Sequence, residues 1–166
     1  EIKQKEVDDY LEKMKESRAS LPFRRKREGR THYKKRLKIL LSNKFRLVVR
    51  KSLSSTKASI VQYDDKGDKV LFTIDSKTLC KLGWKGNTGN VPSAYLTGMI
   101  AGKKAIGQGI KEAIFDTGLN NSTKGSRLYA TLAGAIDAGM KIPSSSEVLP
   151  PKERLEGEHI SKYAHF

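Results

Sequence analysis

The chain has 166 residues, a formal net charge of +15 at pH 7 and a single cysteine, Cys80. This length suits one domain with extensions, and one cysteine excludes an intramolecular disulfide and fits a reducing compartment. No apolar run approaches the roughly 18–20 residues of a membrane-spanning helix, and the charged stretch Glu1 to Leu21 has no hydrophobic segment of a secretory leader.

Ile2, Val7, Tyr10, Leu11 and Met14 recur at helical spacing and predict a weak helix over Glu1 to Arg18, so residues 1–21 read as an extension. The charge then concentrates. From Pro22 to Lys51, 13 of 30 residues are Lys or Arg against one acid, Glu28, so this stretch carries +12 of the +15. Phe23 to Arg36 (FRRKREGRTHYKKR) has too few apolar residues to pack and is interrupted by Gly29. Residues 22–44 are therefore expected to be a basic arm, disordered alone and ordered on a partner. Tyr33 to Leu41 predicts a short helix with Leu37, Leu40 and Leu41 on one face, ended by Ser42-Asn43.

At Phe45 the period changes to that of strands. Phe45–Lys51, Ala58–Asp64 and Lys69–Asp75 are rich in apolar and β-branched residues, with a turn cluster at Asp64–Asp68, and predict an antiparallel meander. A long helix starts at Pro92 or Ser93, with Ala94, Leu96, Met99, Ile100, Ala101, Ala105 and Ile106 as its buried stripe. Glu112–Thr117 is a short strand. Ser126–Gly139 is a second Ala-rich helix carrying Leu128, Leu132, Ala135 and Ile136 inward, with Gly139 as its C-cap and Pro143 beyond. The order βββαβα over residues 45–143 gives an α/β domain of α+β character, a mixed sheet covered by helices on one side. Residues 144–166 read as a loosely attached tail. Gly98 and Gly102, four apart in the long helix, predict close packing on the sheet, with a partner contact as the alternative.

Cations packed this densely repel one another, and a polyanion relieves the repulsion by giving up condensed counterions. Arg24, Arg25, Lys26, Arg27 and Arg30 match phosphate with planar forks, and His32 and Tyr33 add stacking surfaces. At a period of two, Arg46, Val48 and Arg50 share one sheet face and Phe45, Leu47 and Val49 the other, so one face is partly basic and suited to lie against RNA. Lys51 ends the first strand and Lys57 begins the second. The loop Ser52–Thr56 is hydroxyl-rich and has two readings, a plain turn or a reach toward phosphates and 2′-OH groups.

Other chemistry finds little support. Gly83–Asn90 lacks the spacing of a Walker loop, and Gly107-Gln108-Gly109 precedes a strand rather than following one. Trp84 reads as a packed anchor. Cys80 and the three histidines have no metal-site spacing, and no metal, cofactor or catalytic residue is assigned. The alternatives are a generic basic RNA- or DNA-binding protein and a carboxylate-metal nuclease built on Asp75, Asp116 and Asp137.

Five blocks in order carry a resemblance: FRRKREGRTHYKKRL (Phe23–Leu37), RLVVRKS (Arg46–Ser52), GNVPSAYLTGMIAGKKA (Gly89–Ala105), DTGLNNSTKGSRLYATLAGAIDAGMKIP (Asp116–Pro143) and RLEGEHISKY (Arg154–Tyr163). Over these the chain resembles the archaeal branch of the 5S-rRNA-binding family of the large ribosomal subunit, that of bacterial protein L-eighteen and eukaryotic L-five. The resemblance implies a cytoplasmic structural RNA-binding protein, not an enzyme, that clamps 5S rRNA to large-subunit (23S-type) rRNA at the central protuberance. It also implies the other 5S-binding protein, of the family of bacterial L-five, as a neighbour. RNA contacts are expected from Arg24, Arg25, Lys26, Arg27, Arg30, Thr31, Tyr33, Lys35 and Arg36 in the arm. In the domain they are expected from Arg46, Arg50, Lys51, Ser52, Ser54 and Lys57. The chain departs from the family pattern in places: the loop at Ser52–Lys57 lacks the usual Asn, the third strand ends Thr73-Ile74-Asp75-Ser76 rather than in an Ala-His-Ser-like stretch, and Glu1–Leu21 does not match the short N-terminus expected of the family.

Overall fold

A computed structural model describes residues 21–163, so the helix expected over Glu1–Arg18 and the last three residues lie outside the described residues. The chain divides into two units, residues 1–32 and 33–166. The division falls inside the stretch read above as one arm.

In the first unit, Arg24–Arg27 forms a single helical turn, α1. Gly29 closes it at φ 63°. The Arg30 N–H reaches the Arg25 carbonyl (2.8 Å) and the Gly29 N–H that of Lys26 (3.1 Å), a Schellman closure that needs a left-handed residue at this position. The glycine that breaks the basic run in sequence thus ends a helix in space.

In the second unit, α2 (Tyr33–Leu40) precedes three strands: β1 (Arg46–Lys51), β2 (Thr56–Gln62) and β3 (Lys69–Asp75). Then follow α3 (Thr78–Lys81), α4 (Val91–Gly107), β4 (Ile114–Asp116) and α5 (Arg127–Asp137). The sheet order is β3-β2-β1-β4. β1 pairs antiparallel with β2 and parallel with β4, and β2 pairs antiparallel with β3, so the expected mixed sheet forms. The one-turn α3 was not read from the sequence, since four residues leave no periodicity to detect.

The core lies between one sheet face and the helices α4 and α5. Leu47, Val49, Ala58, Ile60 and Phe72 project from the strands onto Ala101, Ala105, Leu128, Leu132 and Ala135. α4 is set by Asn90, whose Oδ1 accepts the Ser93 N–H at 2.9 Å, and by Pro92 in its first turn. α5 ends as expected at Gly139 (φ 104°), with Met140 N–H on Ala135 O at 3.1 Å and Gly139 N–H on Ile136 O at 2.8 Å.

The small residues of α4 face the second helix rather than the sheet. A Cβ on Gly98 would collide with the Thr131 carbonyl of α5, and one on Gly134 of α5 would collide with the Tyr95 carbonyl of α4. Backbone meets backbone at this crossing, which offsets the helix propensity that glycine forfeits.

The stretch read as a loose tail is docked along much of its length. Val148 and Leu149 pack on the core, Pro150 is buried, and the Gly125 N–H donates to Val148 O at 3.0 Å. The short helix α6 (Lys152–Glu156) packs on α4, and α7 (Glu158–Ser161) follows it. Three apolar residues among prolines and serines suffice for the docking, too few to show as a period.

Candidate nucleic-acid interface

The first unit presents its cations to solvent. Arg24, Arg25, Lys26, Arg27 and Arg30 are all exposed. Glu28 lies 3.5 Å from Arg24 and 3.1 Å from Arg30, and Arg25 Nε donates to Thr31 Oγ1 at 2.9 Å. Lys26 and Arg27 make no ion pair among the described residues. One carboxylate shared by two arginines on a solvated turn contributes little to stability, so the segment remains strongly cationic.

In the second unit, α2 is held by polar anchors. Lys35 Nζ donates to Thr117 Oγ1 (2.9 Å) and Gly118 O (3.4 Å), and Arg36 grips Asp68 with contacts of 2.9 and 3.0 Å. Thr117 follows β4 and Asp68 precedes β3, the strands at opposite edges of the sheet. Side chains of α2 are therefore tied beside both edges of the sheet. The predicted apolar face of this helix is only partly used, because Leu37 and Leu41 remain 60% and 72% exposed.

Arg46 departs most from expectation. It projects onto the sheet face away from the core, as its register requires, yet is only 2% exposed. Its guanidinium lies 2.7 Å from Asp68 and 3.5 Å from Asp116. The Asp68 approach is an ion pair rather than an aligned hydrogen bond, and Nε is buried without a hydrogen-bond partner. Arg46 is therefore not the solvated cation that alternation predicts: two carboxylates distant in sequence converge on it. Asp116 also lies 3.8 Å from Arg50, so opposite charges alternate from Arg36 through Asp68, Arg46 and Asp116 to Arg50. Partial burial opposes ionisation of Asp68, but the Arg46 and Arg36 guanidiniums outweigh it and hold this carboxyl below its usual range.

At the other end of β1, Arg50 donates to the Val49 and Asp116 carbonyls (2.8 and 3.0 Å), and its side chain is 47% exposed. Lys51 is exposed, and Lys57, also exposed, lies 3.6 Å from Asp75. The two readings of the serine loop separate by residue. Ser52 Oγ accepts the Ser55 N–H at 3.1 Å and pairs with Ser55 Oγ at 3.0 Å, so it serves the turn. Ser54 stays exposed, its carbonyl taken by Thr88 Oγ1 at 2.8 Å. Arg127 NH1 contacts the Leu53 and Gly89 carbonyls (3.4 and 2.8 Å), bracing hairpin and loop together. Lys77 lines the same side of the hairpin. Nothing in the sequence marks it, because it stands alone after β3, outside every basic run.

The nuclease carboxylates do not converge. Asp75 and Asp116 lie on opposite edge strands. Asp75 accepts the Lys77 N–H at 3.1 Å, Asp116 the Gly118 N–H at 2.7 Å, and Asp137 the Tyr95 hydroxyl at 2.9 Å. No metal-holding group of three such side chains occurs among the described residues. Trp84 is half-buried, its indole N–H on the Asn87 carbonyl at 3.3 Å, as an anchor should be.

Comparison with known proteins matches both a family and individual relatives. Residues 17–112 match the family described as ribosomal large subunit proteins 60S L5 and 50S L18. The large ribosomal subunit protein uL18 of Methanococcus maripaludis is 51% identical over 144 residues, covering 87% of this chain and 75% of that protein.

Proposed function

The chain belongs to the family of large-subunit ribosomal proteins L5 and L18, and from that membership we propose that it binds 5S rRNA and fastens it to the large-subunit rRNA. Membership makes it a structural constituent of the large ribosomal subunit in the cytoplasm, not an enzyme. The observation that carries the finer reading is the exposed, under-compensated charge of Arg24–Arg30, concentrated in one segment rather than spread over the surface.

In this reading the protein works by position. Two folded RNAs that approach each other bring dense negative charge together. Arg24, Arg25, Lys26, Arg27 and Arg30 neutralise phosphates at that junction, with Thr31, Tyr33, Lys35 and Arg36 continuing the contact along the chain. Arg50, Lys51, Ser54 and Lys57 meet RNA at the hairpin end of the sheet. Side chains cannot enter the deep major groove of A-form RNA, so selectivity comes from shape, stacking and 2′-OH contacts, and affinity mainly from charge. A neighbour from the other 5S-binding family of the subunit completes the proposed setting.

The test is competitive binding of the full chain to 5S rRNA, an unrelated RNA duplex of equal length and duplex DNA, at moderate salt. Preference for 5S rRNA supports the reading. Equal binding to all three would reduce the protein to a general polyanion binder.

A further inference from the structure

The geometry points to the cleft beside the β1–β2 hairpin as a clamp for an RNA backbone phosphate, with Lys77 as its fourth cation. This inference rests on the rRNA-binding reading and specifies what the hairpin end of the sheet grips. The cleft has a volume of about 410 Å³, and Arg50, Lys51, Lys57 and Lys77 line it against one carboxylate, Asp75.

The arrangement is costly for the protein alone. Arg50 and Lys57 are direct partners in the β1–β2 register, and like charges facing each other across a ladder are destabilising. Asp75, beside Lys57 on β3, and Asp116, 3.8 Å from Arg50, offset only part of that repulsion. A bound phosphate would remove the rest.

The cations also stand on a fixed frame. The Thr56 N–H donates to Ser76 Oγ at 3.0 Å, and the Ser76 N–H donates to Thr56 O at 2.9 Å. Both residues are fully buried. Lys57 and Lys77 follow them directly, so this clip sets the points from which both lysines leave the backbone. Asp75 is occupied in the same frame, with one oxygen on the Lys77 N–H and the other 3.6 Å from Lys57 Nζ.

The chemistry on offer favours phosphate over a base edge. Ser52 and Ser55 spend their hydroxyls on the turn, which leaves Ser54 as the exposed loop hydroxyl. What faces the cleft is positive charge with little directional patterning, and that suits a non-bridging phosphate oxygen of any nucleotide. The clamp therefore contributes affinity without contributing discrimination.

The experiment measures binding of the full chain to 5S rRNA and to an unrelated structured RNA across a salt series. It compares wild type, Lys77→Gln, Lys77→Arg and Lys57→Gln, with Lys111→Gln as an exposed control outside the cleft. Urea unfolding verifies that each variant is folded. Lys77→Gln is expected to weaken both RNAs by the same factor, about 3- to 10-fold at ~0.1 M salt, and to lower the salt slope by about 0.7–0.9. Lys57→Gln should do likewise, while Lys77→Arg and Lys111→Gln keep the wild-type slope. A wild-type slope in Lys77→Gln overturns the clamp while leaving 5S binding intact. Loss confined to 5S rRNA would instead assign Lys77 to recognition and also overturn it, as would competition by poly-glutamate equal to that by RNA. Absence of wild-type binding to 5S rRNA would remove the reading beneath it.

Discussion

The arginines of the first unit and the arginine that opens the sheet share one side chain and meet opposite surroundings. Arg24–Arg27 stand in solvent with a single carboxylate nearby among the described residues, whereas Arg46 is 2% exposed between Asp68 and Asp116. Density of charge along the chain locates the region that meets a polyanion. It does not say which cations are available, because the fold decides where the carboxylates go. Here the β2–β3 turn and the end of β4 deliver them to Arg46, and among the described residues Arg24–Arg30 receive none beyond Glu28. An exposed arginine gives salt-dependent affinity, while a buried and paired one holds elements in place.

The contrast is broken most severely at the arm. Replacing Arg24, Arg25, Lys26 and Arg27 together by Gln is expected to cost roughly two to three orders of magnitude in 5S rRNA affinity at ~0.1 M salt, with the salt slope lower by about 0.7–0.9 for each lost contact. Urea unfolding of that variant should match wild type, since exposed substitutions usually stay within about 0.5 kcal/mol. Arg46→Met should do the reverse. It strands two carboxylates that are only partly solvated and is expected to cost about 2–3 kcal/mol of stability, below the full cost of orphaning a buried partner. It should leave the salt slope unchanged in the molecules that remain folded. A lowered slope with unaltered stability would return Arg46 to the RNA-contacting set.

Arg50→Gln and Lys51→Gln sharpen the comparison at intermediate positions, because both side chains are exposed at the end of the same strand. Each is expected to weaken binding about 3- to 10-fold with little change in unfolding. The smallest effect is that of pH. The folded pKa of Asp68 lies below its reference of 3.8, so its stabilising contribution is present above that value and is lost as pH falls through the depressed one. The stability difference between wild type and Asp68→Asn, followed by urea unfolding from pH 5 downward, should therefore shrink below about pH 4. A difference that grows with acid would contradict the ion-pair assignment.

Much of the fold was legible in the sequence because its signals are local and repeated. The three meander strands, the long α4 with Pro92 in its first turn and the Gly139 cap all follow from residues within a few positions of one another. What escaped depended on distant partners. Alternation placed Arg46 on the outward face, but nothing near it in sequence announced Asp68 or Asp116. Gly98 signals a close approach that reads as packing on the sheet, and its neighbour is the α5 backbone at Thr131 instead. Lys77 gave no signal at all, since its setting arises from the clip between Thr56 and Ser76. The basic run marked the exposed cations of the arm plainly, whereas at the hairpin the structure was needed to separate Ser52, committed to its turn, from the exposed Ser54.

Whether this chain joins two RNAs can be read from sedimentation of labelled 5S rRNA with a large-subunit rRNA fragment in the presence of the full chain. With the wild-type chain added, 5S rRNA is expected to move with the larger RNA, and the Arg24–Arg27 variant is expected to fail to carry it while still sedimenting as a folded protein. Co-sedimentation that is equally strong with that variant, or with an unrelated RNA in place of 5S rRNA, would contradict a joining role.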